Sequence, residues 1–153
     1  MRVLIIGGYG NFGSYIARAL ADDVAIQLLV GGRSEAKARS FCTDLAATHP
    51  AEAHAIDIDG DIPAALARIR PDIVIHTTGP FQTQDYRVAC ACVGQGCHYV
   101  DLADARDFVA SIGTLDDFMV RANRTYSASS LGARVTSAAR TLKLLAASFS
   151  PSM

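Results

Sequence analysis

The amino-terminal stretch VLIIGGYGNFGSYIARAL sets four glycines, Gly7, Gly8, Gly10 and Gly13, between an apolar run of β-formers and a helix-forming segment. Glycine loses more conformational freedom on folding than any other residue, so such a cluster needs a steric reason. Gly8, Gly10 and Gly13 match G-x-G-x-x-G directly after a strand and directly before a helix. There the first glycine permits a tight strand-to-helix turn, and the second lets a pyrophosphate approach the backbone where a Cβ would intrude. The third lets the helix lie close on the sheet. Unpaired N–H groups and the positive end of the helix dipole then meet the phosphates, so the expected ligand is a dinucleotide. Gly7 reads as part of the same loop. Tyr9, Asn11 and Phe12 read as loop or packing residues rather than catalysts, with Asn11 and Phe12 inside the binding motif.

Apolar runs and helical patterns then alternate. Strands are expected over residues 2–6, 24–30, 53–58, 72–76 and 98–102, and helices over 12–21, 34–47, 61–70, 84–95 and 107–122. Phe12, Ile16, Ala19 and Leu20 fall on one side of the first helix. Ser34 and Asp61 stand as N-caps, Pro63 fits a first helical turn, and Pro71 and either Gly94 or Gly96 end helices. Strands alternating with helices imply right-handed βαβ crossovers and a doubly wound parallel sheet, an α/β fold of the Rossmann class. Ligands in such folds sit beyond the carboxyl ends of the strands, which confines the search to residues 7–13, 31–34, 57–60 and 77–81.

At 153 residues, 50% hydrophobic with no Trp, the chain is the size of one domain with an aliphatic core suited to a parallel sheet. No apolar run reaches membrane-spanning length, and Val3 to Ile6 lacks the flanks of a signal peptide, so the cytosol is the expected compartment. Cys42, Cys90, Cys92 and Cys97 are then expected as free thiols. Cys90, Cys92, Cys97 and His98 form a C-x-C-x4-C-H cluster, but helical positions two apart do not face each other, so no metal site is expected. Residues 1–117 carry nine basic and fifteen acidic residues, net −6, whereas the remainder carries five basic residues and no acid. The acidic body speaks against a nucleic-acid partner.

The end of the second strand decides which dinucleotide is bound. An NAD-selective site carries Asp or Glu there to accept from the ribose 2′-hydroxyl. Here LLVGGRSEAK has no acid at Val30, Gly31 or Gly32; Arg33 instead offers a planar fork for a 2′-phosphate, and Ser34 a donor beside it. NADP is therefore expected over NAD. Asp57 reads either as an acceptor for the adenine amino group or as a turn residue. HTTGPFQTQ brings Thr77, Thr78, Gly79, Pro80 and Phe81 to the crevice; Gly79 and Pro80 shape a rigid turn, and Phe81 is either near the nicotinamide half or a core cover. Tyr99 and Asp101 lie on the opposite face of the fifth strand from His98 and Val100, since side chains alternate; Asp101 could meet a substrate or act as a structural acceptor. His49, His54 and His76 show no partner in the sequence.

Together VLIIGGYGNFGSYIARAL, LLVGGRSEAKA, VIHTTGPFQ and CHYVDLAD resemble the NADP-binding amino-terminal domain of the saccharopine dehydrogenase (saccharopine reductase-like) family, over about residues 1–122. The resemblance implies an NAD(P)-dependent oxidoreductase scaffold followed by a second domain that receives the substrate and often forms a dimer. It implies that Gly8, Gly10, Gly13, Arg33 and Ser34 hold the coenzyme, with Thr78, Gly79, Pro80 and Phe81 near its nicotinamide half. Residues 123–153 depart from it: they are basic and rich in Ser and Ala, where the family continues into an apolar sixth strand. Two readings stand for this tail: a truncated or frame-shifted end, or a closing helix with Val135, Ala138, Leu142, Leu145 and Phe149 on one stripe. A sheet lacking a regular sixth strand would leave an edge open to homodimer formation. No catalytic residue is evident, so the chain is expected to bind coenzyme without turnover, the alternative function being a small NADP(H)-sensing or interaction module.

Overall fold

In the first strand, β1 (Arg2–Ile6), the four residues Val3 to Ile6 are aliphatic and buried on both sides, as the central strand of a sandwiched parallel sheet must be. A computed structural model describes residues 1–80 and 84–102, together with the backbone of residues 126–128. After β1 come α1 (Asn11–Leu20), β2 (Gln27–Gly32), α2 (Glu35–Asp44), β3 (Glu52–Ala55), α3 (Ile62–Ile69), β4 (Ile73–His76), α4 (Arg87–Gln95), β5 (His98–Asp101) and β6 (Tyr126–Ala128). All pairings are parallel, in the order β3-β2-β1-β4-β5-β6. The chain steps outward from β1 to β3, then returns to place β4 on the other side of β1. The strand order reverses there, and a crevice opens at the carboxyl ends of β1 and β4.

Alternation along the strands divides the core into two layers. Val3, Ile5, Leu28, Ile73 and Ile75 pack with Ile16, Ala17 and Leu20 of α1. Leu4, Ile6, Leu29, Val74 and Tyr99 pack with Ile62, Leu66 and Ile69 of α3 and Val88, Ala89 and Cys92 of α4. The doubly wound architecture is thus as expected. The sixth position of the sheet holds a three-residue strand, paired from Tyr99↔Tyr126 to Asp101↔Ala128, rather than a regular apolar one. The expected helix over 107–122 and the stripe from Val135 to Phe149 lie outside the described residues.

Several boundaries differ from expectation for local reasons. β2 begins at Gln27 because Asp23 folds the preceding residues into a turn: its carboxylate accepts from the Ala25 N–H (2.8 Å) and its carbonyl from the Ile26 N–H (3.0 Å). It continues to Gly32 because Gly31 and Gly32 pair with His54 and Ala55 of β3. α2 ends at Asp44, where Leu45 turns extended. β3 stops at Ala55, and α4 starts only at Arg87. Gly96, at φ 71°, closes α4 in the left-handed conformation that glycine tolerates, which decides between it and Gly94.

The buried stripe of α1 is Gly13, Ile16, Ala17 and Leu20, not the expected Phe12, Ile16, Ala19 and Leu20. Gly13 sets the rotation, because the helix makes its close approach there and i, i+3, i+4 and i+7 follow on the same face. Phe12, about 100° round the axis, is 62% exposed.

Candidate functional site

The glycine turn is held open from behind. The Gly31 carbonyl, at the end of β2, accepts from both the Gly7 N–H (2.8 Å) and the Gly8 N–H (3.1 Å), and the Gly7 carbonyl accepts from the Gly10 N–H (2.8 Å). Gly7 is the residue that needs a left-handed backbone, at φ 83°. A Cβ there would also strike the Thr77 hydroxyl and the Thr78 methyl, each at 2.8 Å. Sequence reasoning placed Gly7 only in the loop; the tight turn assigned to Gly8 belongs to it. Gly8 is buried, with a hypothetical Cβ 2.9 Å from the Ile5 carbonyl. At Gly13 a Cβ would run into the Gly7 carbonyl, so the third glycine lets α1 sit directly on the turn.

Gly10 is different. It is exposed, and among the described residues other than its chain neighbours the atom within 4 Å of a Cβ built on it is the Gly7 carbonyl oxygen, at 3.1 Å. As the N-cap of α1 it offers no side-chain acceptor, and the first turn of α1 carries no acid. The Asn11, Phe12 and Gly13 amides therefore begin a helix without a side-chain cap, at its positive end. By contrast Ser34 caps α2, accepting from the Lys37 N–H (3.3 Å), and Asp61 caps α3, accepting from the Ala64 N–H (2.9 Å). A cradle that a Cβ at Gly10 would fill, lined by uncapped amides, fits a diphosphate.

On the β2 side, the Tyr9 hydroxyl accepts from the Ser34 N–H (3.0 Å), and its ring covers Gly32 so closely that a Cβ there would lie 2.5 Å from it. The double glycine of LLVGGR was the signal for this arrangement: Gly31 turns its carbonyl to the β1 loop and Gly32 makes room for Tyr9. Arg33 is exposed beside this corner, and among the described residues no carboxylate pairs with it. Asp57 forms a turn, accepting from the Asp59 N–H (3.1 Å) through its carboxylate and from the Gly60 N–H (3.1 Å) through its carbonyl. Both bonds make a turn, and the side chain remains exposed.

On the β4 side, the Thr77 hydroxyl and N–H both donate to the Ile6 carbonyl (2.9 and 3.0 Å), tying this loop to the end of β1. The Gly79–Pro80 peptide is cis. Gln84 Nε2 donates to the Thr78 carbonyl (2.6 Å) and the Pro80 carbonyl (3.2 Å), closing the loop. Phe81 lies outside the described residues.

His76 has the partners that the sequence did not reveal. It is buried at the end of β4, with Nε2 2.5 Å from the Thr78 hydroxyl and Nδ1 3.1 Å from the Tyr99 hydroxyl. Burial pushes its pKa down to about 4, so the ring is neutral at physiological pH. Tyr99 and Asp101 share the buried face of β5, as alternation predicted. Burial, and then the Asp101 charge, push the Tyr99 phenol well above its ordinary range. Elsewhere, the Cys97 thiol donates to the Cys92 carbonyl (3.5 Å), and Cys90 is exposed. Among the described residues no three His, Cys, Asp or Glu side chains gather as a metal-binding group.

The family model for the saccharopine dehydrogenase NADP binding domain matches residues 3–148. No curated sequence matches the chain. Among solved structures, apo saccharopine dehydrogenase (L-Glu forming) from Saccharomyces cerevisiae superposes with a TM-score of 0.66 at 19% identity, over 83% of this chain and 26% of that one. Triphenylmethane reductase from Citrobacter sp., complexed with NADP(H), gives 0.58 at 17% identity, over 82% and 48%. A 3-ketoacyl-(acyl-carrier-protein) reductase from Brucella melitensis, complexed with NADH, gives 0.56 at 17% identity, over 83% and 72%. At these identities the likeness is one of fold. The chain spans about a quarter of the yeast enzyme.

Proposed function

The chain belongs to the saccharopine dehydrogenase NADP binding domain family, and from that membership we infer that it holds NADP(H) along the carboxyl edge of its sheet for an oxidoreductase reaction. The diphosphate lies on Gly10 and the first amides of α1, at Asn11, Phe12 and Gly13, with Gly7 making the turn and the buried Gly8 packed beneath it. The adenosine half runs toward β2, where Arg33 forks the 2′-phosphate, Ser34 donates its hydroxyl beside it, and Asp57 accepts from the adenine. The nicotinamide half crosses to β4, against Thr78, Gly79, Pro80 and Phe81.

One observation carries this reading: the start of α1 has no side-chain cap and its N-cap is the exposed Gly10, at the end of the turn that follows β1; α2 and α3 carry side-chain caps, and α4, also without one, has Tyr86 as its N-cap. A bound coenzyme supplies or accepts a hydride, and the protein's part is to fix its position and its electrostatic setting. In the complete enzyme the hydride partner is a small imine, carbonyl or enoyl compound presented by a further domain, and this chain alone binds coenzyme without turnover. Residues 1–122 serve as the dinucleotide-binding unit and 123–153 as an atypical tail. Cys42, Cys90, Cys92 and Cys97 are free thiols, which agrees with a cytosolic setting; no helix among the described residues is long and apolar enough to cross a membrane. A homodimer is the protein partner that accompanies this reading.

Arg33→Asp tests it by calorimetry. NADPH affinity should fall by about a hundredfold, since a charge-assisted fork is replaced by a repulsive carboxylate, while NADH affinity changes by less than about threefold. Equal weakening of the two coenzymes would remove Arg33 from the site.

A further inference from the structure

Tyr9 stands between Gly8 and Gly10, so its backbone belongs to the glycine turn, while its side chain leaves that turn for the end of β2. There the phenol oxygen accepts from the Ser34 N–H at 3.0 Å, a bond whose direction is fixed because a backbone amide only donates. The phenol keeps its own proton. Among the described residues no group accepts that proton, although the hydroxyl stands at the corner where Arg33 and Ser34 follow β2. A half-buried O–H that is anchored through its oxygen and whose proton is uncommitted is a donor suited to an anion.

The ring also decides what else can occupy this corner. Gly32 ends β2, the position at which an NAD-selective site carries its carboxylate. The three atoms nearest to a Cβ built on Gly32 all belong to Tyr9: two ring carbons at 2.5 and 2.7 Å, and the phenol oxygen at 2.7 Å. Gly32 has no positive φ, so a side chain there meets its obstacle in Tyr9 rather than in its own backbone conformation. The ring therefore fills the place of a residue 32 side chain. Any residue larger than glycine at 32 must push the ring away and break its bond to Ser34.

We propose that Tyr9 is a specificity-determining residue for the coenzyme: its ring takes the place of the β2-terminal side chain, and its hydroxyl donates to the 2′-phosphate as a third arm beside Arg33 and Ser34. The inference rests on the coenzyme reading above. It gives a ligand contact to a residue that the sequence presents as loop packing, and it makes Gly32 the condition for that contact. A carboxylate that would recognise an unphosphorylated ribose from position 32 has no room while Tyr9 is in place.

The wild type, Tyr9→Phe, Gly32→Ala, Tyr9→Ala and the Tyr9→Ala/Gly32→Ala pair are titrated with NADPH, 2′,5′-ADP and 5′-ADP. Tyr9→Phe, which keeps the ring, should weaken 2′,5′-ADP and NADPH by about tenfold, the loss of one charge-assisted bond, and leave 5′-ADP within about twofold. Gly32→Ala should weaken 2′,5′-ADP to the same extent, because its methyl drives the ring off the corner. In the Tyr9→Ala background the same methyl should change 2′,5′-ADP affinity by less than about twofold. Equal weakening of 2′,5′-ADP and 5′-ADP by Tyr9→Phe would make Tyr9 a support of the glycine turn and overturn the proposal, as would an unchanged 2′,5′-ADP affinity. Full additivity of Gly32→Ala with Tyr9→Ala would overturn it by separating the ring from position 32. A wild-type chain that binds none of the three ligands would overturn the coenzyme reading itself, an outcome separate from a failure of the variants alone.

Discussion

Gly10 and Gly13 stand three residues apart in one motif, yet a methyl group would meet very different surroundings at each. At Gly10, with φ −78°, it would meet, among the described residues beyond its chain neighbours, the Gly7 carbonyl oxygen alone. Gly10→Ala should therefore cost about 1 kcal/mol or less, the ordinary penalty for a poorer N-cap, yet lower NADPH affinity by about tenfold or more by filling the diphosphate cradle. Gly13→Ala drives the methyl into the Gly7 backbone and should cost about 3 kcal/mol, losing binding with stability. Urea denaturation beside NADPH titration separates the two; equal effects on stability would contradict the division of roles. His76 gives a second single-residue expectation. Its folded pKa, about 4, is below the value near 6.5 in the unfolded chain. Above pH 6.5 neither state is protonated there; between 6.5 and 4 only the unfolded state takes up the proton. Stability should thus fall over that window by about 3 kcal/mol relative to His76→Gln, then level off. Parallel pH profiles for the two proteins would contradict a buried neutral ring.

Helix ends explain what the elements contribute beyond burial. Asp61 caps α3 and has no part in the proposed coenzyme contacts, so Asp61→Ala should lower stability by about 1 kcal/mol and leave NADPH affinity unchanged. Ser34 caps α2 through a longer bond and stands beside Arg33, so Ser34→Ala should lower affinity more than stability; the reverse order in paired denaturation and binding curves would make Ser34 a cap alone. Both caps were legible in the sequence, as were the order of strands and helices and the glycine motif, because each depends on contacts close along the chain. The missed features depend on contacts between distant segments. Phe12 faces solvent because Gly13, pressed on the Gly7 carbonyl, sets the rotation of α1. Gly7 takes the left-handed turn because the Gly31 carbonyl, on the next strand, captures two successive amides. His76 looked solitary because its partner Tyr99 is 23 residues away and comes into reach only when β4 pairs with β5.

The whole sheet places the crevice between two unequal halves. β1 and β4 at its centre are tied by Thr77 to Ile6, and the β2 side is tied to the same turn through Gly31, so three strand ends converge on one loop. The opposite side depends on β5, the strand that carries Tyr99 and Asp101, and β5 is covered along its outer edge by the three residues of β6. A chain ending at residue 122 would lack β6 and leave β5 with an open row of backbone donors and acceptors, a template for pairing with a second copy. Such a chain should melt lower than the full one and show a concentration-dependent mass by light scattering. The loss should also reach the crevice, because a loosened β5 no longer holds Tyr99 against His76 at the end of β4, so NADPH affinity should drop. Should the shortened chain remain monomeric with an unchanged melting temperature, residues 123–153 would be an appendage, and the His76–Tyr99 contact would draw its rigidity from the two helical layers alone.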